Sequence, residues 1–197
     1  MKAIATKAIR VLTVAPVMAL ATLITLFAVD PTIFGGTHKF ILSVFFLFIL
    51  PILAYPLQPF IPKFKDRGRE GQRNLAMIFA IVGYVAGVIT NLFLSAGIYL
   101  WLIYLDYLIS GAVVVIINKV FKLRASAHAC GIVGPGALLC YMGVGQALIP
   151  TVVLYAGAMW ASVSMKRHTV PQFIGGAIIP LATLSFLNFA TILLSGI

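Results

Sequence analysis

Apolar positions in this chain neither alternate with polar ones nor recur on one helical face. They run on in long stretches, at about 11–29, 40–60, 75–97, 98–118, 126–142, 146–164 and 171–194. Each stretch is close to the roughly 20 residues that a helix needs to cross a bilayer. A membrane β-barrel would instead alternate apolar and polar residues over segments of about 10. The pattern therefore predicts an all-α, polytopic transmembrane bundle of seven spans, with residues 1–197 forming one integral membrane domain. The breaks between stretches are short. Residues 1–10 form an amphipathic head with Lys2, Lys7 and Arg10. Asp30-Pro31 and Gly35-Gly36 mark a loop. Pro51, Pro56 and Pro59 bend or end the second span, and 98 follows 97 through a tight turn.

Composition supports this reading. The chain is 62% hydrophobic and 9% charged, against about 25% charged in soluble domains. The first apolar run is long for a signal peptide core, and no clear small-residue cleavage site follows it, so it is read as a retained anchor. There are 14 basic and 4 acidic residues, for a formal net charge of +10. With no soluble domain to carry that charge, nucleic acid is not the expected partner; anionic lipid, phosphate and topology are. Two spans separate the charged stretch 63–74 from the basic step 119–128, and two more separate that step from 166–172. All three segments, and the N-terminus, then share one membrane face. Every basic residue except Lys39 falls there, which makes that face cytoplasmic by the positive-inside rule. The chain ends on the other side. Lys2, Lys7 and Arg10 enter as topology signals independent of any phosphate site.

Two of the polar steps carry a histidine at the start of an apolar helix: Arg124-Ala125-Ser126-Ala127-His128 and Lys166-Arg167-His168-Thr169-Val170-Pro171-Gln172. Ser126 and Thr169 are suitable N-caps, and Thr169 with Gln172 fits a capping box. Helix N-termini favour anions. Two imidazoles and several fixed cations are what metal-free phosphoryl transfer needs: a nucleophile, a proton donor and charge stabilisation. Lone histidines at a membrane interface are more often merely interfacial, and His38 is read that way. The Gly and Ala residues of the fifth and sixth spans read first as close helix packing. Cys130 and Cys140 lie about 15 Å apart along one helix, too far for a disulfide. No Cys/His cluster has metal-ligand spacing, so neither metal nor other cofactor is expected. Asp106 lies well inside the fourth span. Its expected partner is Asn91, at similar depth across the turn, rather than the histidines.

These elements resemble those of the type-2 phosphatidic-acid phosphatase superfamily, which includes vanadium haloperoxidases. Ser126-Ala127-His128 resembles its Pro-Ser-Gly-His element. Lys166 to Gln172, followed by Gly175-Gly176, resembles its third element. Arg73-Asn74 sits where the first, Lys-x6-Arg-Pro, would fall. The resemblance covers about residues 63–180 and departs at named positions. Ser162 stands where the third element has Arg, and Gln172 where it has Asp. Ala125, Ala127 and Asn74 replace Pro, Gly and Pro, and Asp66 occupies the Lys position.

The resemblance implies a six-helix phosphatase core and a phosphatase acting on a lipid or isoprenoid phosphate through a phosphohistidine. His168 would be the nucleophile and His128 the general acid. Arg73, Arg124, Ser126, Lys166 and Arg167 would bind phosphate, with Gln172 orienting His168. The partner expected is a membrane lipid substrate; a homo-oligomer is left open. The departures keep two other readings open: a binder or carrier of an anionic lipid or small solute, and a purely structural bundle. The orientation has a direct test. With Ala3→Cys, a membrane-impermeant thiol reagent is expected to label position 3 from the cytoplasmic face; labelling from the other face alone would invert the topology.

Overall fold

A computed structural model describes residues 2–195. The described chain is helical with no strand, and it forms a polytopic bundle. Helix α1 (Lys2–Leu12) and α2 (Ala15–Val29) are followed by α3 (Thr37–Val44) and α4 (Leu50–Leu57), which continue one another. Then come α5 (Gly68–Phe93), α6 (Ile98–Lys119), α7 (Ala127–Tyr141), α8 (Leu148–Ser164) and α9 (Val170–Ser195). Five helical stretches are long and apolar enough to cross a membrane: Thr37–Phe60, Gly68–Phe93, Ile98–Lys119, Gly145–Ser164 and Val170–Leu193. The other two apolar helices, α2 and α7, have 15 residues each, about 22 Å of rise.

Two differences from the sequence reading bear on the site. The expected span 11–29 is broken. Its first residues belong to α1, the chain turns at Thr13 and Val14, and α2 starts afresh with Pro16 in its first turn. The ring of Pro16 is tolerated there because the first turn has no intrahelical use for the missing N–H. Helix α5, the third expected span, begins at Gly68 rather than near 75, so Arg69 and Arg73 are helical and one turn apart on one face. The loop before it is tied down by the buried Gln58, whose Nε2 donates to the carbonyls of Phe64 (3.1 Å) and Gly68 (2.9 Å). The second span starts at Thr37 and runs to Phe60, bending through a π turn at Phe45–Ile49 just before Pro51.

Small residues decide how closely the helices approach. Gly131 leaves room for Ala15, so α2 seats against α7. A side chain at Gly87 would strike the Tyr104 ring, whose hydroxyl donates to Ser43 Oγ at 3.1 Å. At the start of α9 the contact is with backbone: a Cβ on Gly176 would collide with the Ser126 carbonyl. At the same crossing, the Ser126 N–H donates to the Gln172 carbonyl at 3.0 Å. The expected Asp106–Asn91 bond is absent. Asp106 is buried, faces α7 near Gly134, and accepts a long 3.5 Å hydrogen bond from Ser110, one turn along its own helix. Asn91 Nδ2 is buried without a partner. Equal depth in a hairpin did not bring the two side chains to the same face.

The ends of the bundle sort as the even span count requires. Lys39 Nζ donates to the Ser95 carbonyl at 3.3 Å, so the 30–39 loop lies beside the turn after α5. Arg69 and Arg73 are at the other end of that helix. Gly176→Ala is expected to lower stability by about 1–3 kcal/mol, because the added methyl meets backbone that cannot rotate away. Thermal unfolding in detergent reads this; an unchanged melting temperature would mean that α9 shifts freely against α7.

Candidate functional site

The site is assembled at the end of the bundle where α1, α5, α7 and α9 begin or end. Ser126 caps α7, its Oγ accepting from the Ala129 N–H at 3.2 Å. This starts the helix so that His128 falls in its first turn. Thr169 starts α9. Its N–H donates to Gln172 Oε1 (3.2 Å), and the Gln172 N–H reaches Thr169 Oγ1 (3.5 Å), closing the capping box. His168 therefore sits just outside the helix, on the short turn from α8. The tight α7–α9 crossing through Ser126, Gln172 and Gly176 brings these two helix starts together, close enough for His168 to act electrostatically on His128.

Arginines from three separate segments surround the pair. Burial, then the charges of Arg167, Arg73 and Arg69, push the Arg10 guanidinium below its ordinary range. Burial, then Arg69 and Arg73, do the same to Arg167. Arg10 and His168 both act on His128. The charges felt by Arg10 and Arg167 are thus other cations. Two buried nitrogens lack partners here: Arg10 Nε and His168 Nδ1. A buried polar atom left unpaired is costly and marks a place for a ligand or water. An anion would accept from Arg10 Nε, and from His168 Nδ1 when that nitrogen carries a proton, and would offset the crowded positive charge.

His168 is held below its ordinary value, first by burial and then by Arg73 and Arg10; the Gln172 side chain and the Arg124 carbonyl lie beside the ring and pull the other way. Neither of these closes a hydrogen bond on Nδ1. The net direction keeps the ring neutral near pH 7, with a lone pair free. His128 has a firm contact: its Nε2 lies 2.8 Å from Oγ1 of Thr13, at the break between α1 and α2. Thr13 is almost fully buried.

The structure sorts the expected site residues. His128, His168, Arg73, Arg167 and Gln172 converge. Ser126 is completely buried and its hydroxyl serves α7 as a cap, so it supports the site from behind rather than facing a ligand. Arg124 adopts a left-handed conformation (φ 57°) in the loop before α7 and offers its carbonyl to His168, while its side chain is exposed. Lys166 is also left-handed (φ 52°) and exposed, and no interaction ties it to the cluster among the described residues. Arg10, Arg69 and Thr13 are additions to the expected set. Arg10 is not the independent topology signal that the sequence reading took it for. Pro16 was the available clue, since proline in an otherwise continuous apolar run marks a helix start. The chain matches no protein-family model, no curated protein and no solved structure.

The direction of the His168 shift has a consequence for titration. In 15N-histidine spectra, its midpoint is expected below about 6.5, the usual imidazole value. Saturating inorganic phosphate should move the midpoint upward, because an adjacent anion stabilises imidazolium. A midpoint above 6.5 without phosphate would show that the ring is neither desolvated nor pressed by the arginines as described.

Proposed function

We propose that this protein is an integral membrane phosphatase that hydrolyses a lipid or isoprenoid phosphate through a phosphohistidine. The observation that carries the reading is the convergence, from distant segments, of two histidines and four arginines around two unpartnered buried nitrogens. Arg10, Arg69, Arg73 and Arg167 would hold the phosphate oxygens and take up the charge that spreads over them as the ester bond lengthens. A ring nitrogen of His168, neutral at working pH, would attack phosphorus. His128 would protonate the leaving oxygen and then accept a proton from the water that hydrolyses the phosphohistidine. The site opens at one end of an apolar bundle, which suits a substrate whose head reaches the arginines while its tail stays in lipid. That end is proposed to be cytoplasmic.

The resemblance to the type-2 phosphatidic-acid phosphatases leaves one cation unaccounted for, because Ser162 stands at the Arg position of the third element. Ser162 is buried on α8, and α1 packs against that helix. Arg10 on α1 would then supply from the N-terminus the guanidinium that α8 lacks. The Gln172 amide can orient His168 and polarise it weakly, but it carries no charge to stabilise imidazolium. This last feature favours a second reading, a non-enzymatic binder or carrier of an anionic lipid or small solute on the same scaffold.

Purified protein in detergent with EDTA is expected to release phosphate from at least one of phosphatidic acid, phosphatidylglycerol phosphate and polyprenyl mono- or diphosphates. His168→Ala should reduce release by at least about 100-fold, the lower range for removing a group that takes part in the chemical step. Folded protein that binds these lipids but releases nothing would establish the binding reading instead.

A further inference from the structure

The contact between Thr13 and His128 carries more information than its length. A threonine hydroxyl has one proton to give and can accept as well. Thr13 Oγ1 lies 2.7 Å from the carbonyl oxygen of Ile9, one turn earlier. Two oxygens at that distance without a proton between them would repel. A carbonyl has no proton to offer, so the Thr13 hydroxyl must donate to Ile9. Toward His128 Nε2, at 2.8 Å, Oγ1 is left with only a lone pair. The proton in that contact therefore belongs to His128, on Nε2. The other ring nitrogen, Nδ1, forms no hydrogen bond among the described residues.

We propose that Thr13 is a positioning residue that fixes His128 as the Nε2–H tautomer, so that Nδ1 is the nitrogen that exchanges a proton with substrate. The proposal rests on the phosphatase reading for its chemistry but not for its geometry. In the first step, a lone pair of His168 forms the N–P bond as the P–O bond to the leaving group breaks. The electrons of that bond stay on the leaving oxygen, which takes the proton from Nδ1 of His128, a ring that takes up this proton once the anionic phosphate is bound beside it. In the second step, water attacks phosphorus and gives its proton to Nδ1, while the N–P electrons return to His168. Nε2 stays protonated and bonded to Thr13 throughout. A histidine free to rotate or to change tautomer would spend part of its time with the wrong nitrogen toward the substrate.

The anchor is set by the fold. Thr13 stands at the break between α1 and α2, its own N–H also donating to the Ile9 carbonyl at 3.0 Å. The hydroxyl is almost wholly shielded from water, so no solvent molecule competes for it. The break that looked like an interruption in the first span is what turns this hydroxyl toward α7.

The test uses the full chain in detergent with 15N-labelled histidine. His168→Gln and His38→Gln spectra assign the His128 signals. Wild type is expected to show His128 with its proton on Nε2 at pH above its titration. Thr13→Ser, which keeps the hydroxyl, should show the same tautomer and retain phosphate release within about threefold. Thr13→Val keeps the branched shape but cannot accept a hydrogen bond. It should populate the Nδ1–H tautomer and lower kcat by about 100-fold, the scale of a lost proton transfer, with KM little changed. A wild-type His128 protonated on Nδ1 would overturn the proposal even if Thr13→Val failed to fold, and so would a Thr13→Val spectrum and rate equal to wild type. The expected tautomer in a protein that releases no phosphate from any lipid would support Thr13 as the anchor of His128 while removing the phosphatase reading.

Discussion

The close crossing of α7 and α9 is the constraint on which the site depends. Two features hold it: the Ser126 N–H bonded to the Gln172 carbonyl, and the absence of a side chain at Gly176. Both act at the first turn of each helix, and each helix start carries or adjoins one of the histidines. The relative position of the two imidazoles is therefore fixed by main chain rather than by the reach of flexible side chains. That is the kind of support the proposed two-histidine chemistry would require, because phosphoryl transfer tolerates little error in alignment. The buried hydroxyl of Ser126 belongs to the same arrangement, since the cap determines where α7 begins and hence where His128 lies.

Around this rigid pair the electrostatics are one-sided. Arg167, Arg73 and Arg69 press on Arg10, Arg69 and Arg73 on Arg167, Arg10 on both histidines and Arg73 on His168. Such mutual repulsion at the mouth of an apolar bundle is unfavourable on its own and is relieved by an anion. Stability and ligand affinity are then linked: an anion that binds the folded cluster and not the unfolded chain stabilises the fold by mass action. The arginines arrive on separate elements, so anion binding would also draw α1 and α5 toward the α7–α9 pair.

Much of this arrangement was legible in the sequence. Unbroken apolar runs gave the bundle, and even numbers of spans between the basic segments placed them at one end. Ser126, Thr169 and Gln172 announced their caps through local chemistry that depends on a few neighbouring residues. What escaped had other causes. The break at Thr13 lies inside a run whose composition does not change across it; only Pro16 marked it. Arg10 was read as a topology signal because nothing local tells a guanidinium facing lipid headgroups from one folded over a site. Asp106 and Asn91 share a depth, but whether two helical residues meet also depends on the rotation of each helix, and that is set by contacts such as Gly87 on Tyr104 and Gly134 beside Asp106. Arg124 and Lys166 have the right charge in the right segment, yet left-handed turns direct the chain so that neither side chain joins the cluster.

Helix α2, which follows directly on Thr13, and α7, which carries His128, have only 15 residues each. About 22 Å of rise falls well short of a hydrocarbon layer roughly 30 Å thick. Helix α7 is largely buried among α2, α6, α8 and α9, and the other neighbours of α2 are long enough to span that layer, so the sector in which lipid meets the deficit is the outer side of α2. A bilayer meets such a deficit by thinning locally. Headgroups in that sector would sink toward the histidines, and a lipid would need to be lifted less far out of its leaflet to reach the arginines. Host membrane thickness thereby becomes a variable of the site: thin, short-chain bilayers should relieve the mismatch and thick ones should aggravate it.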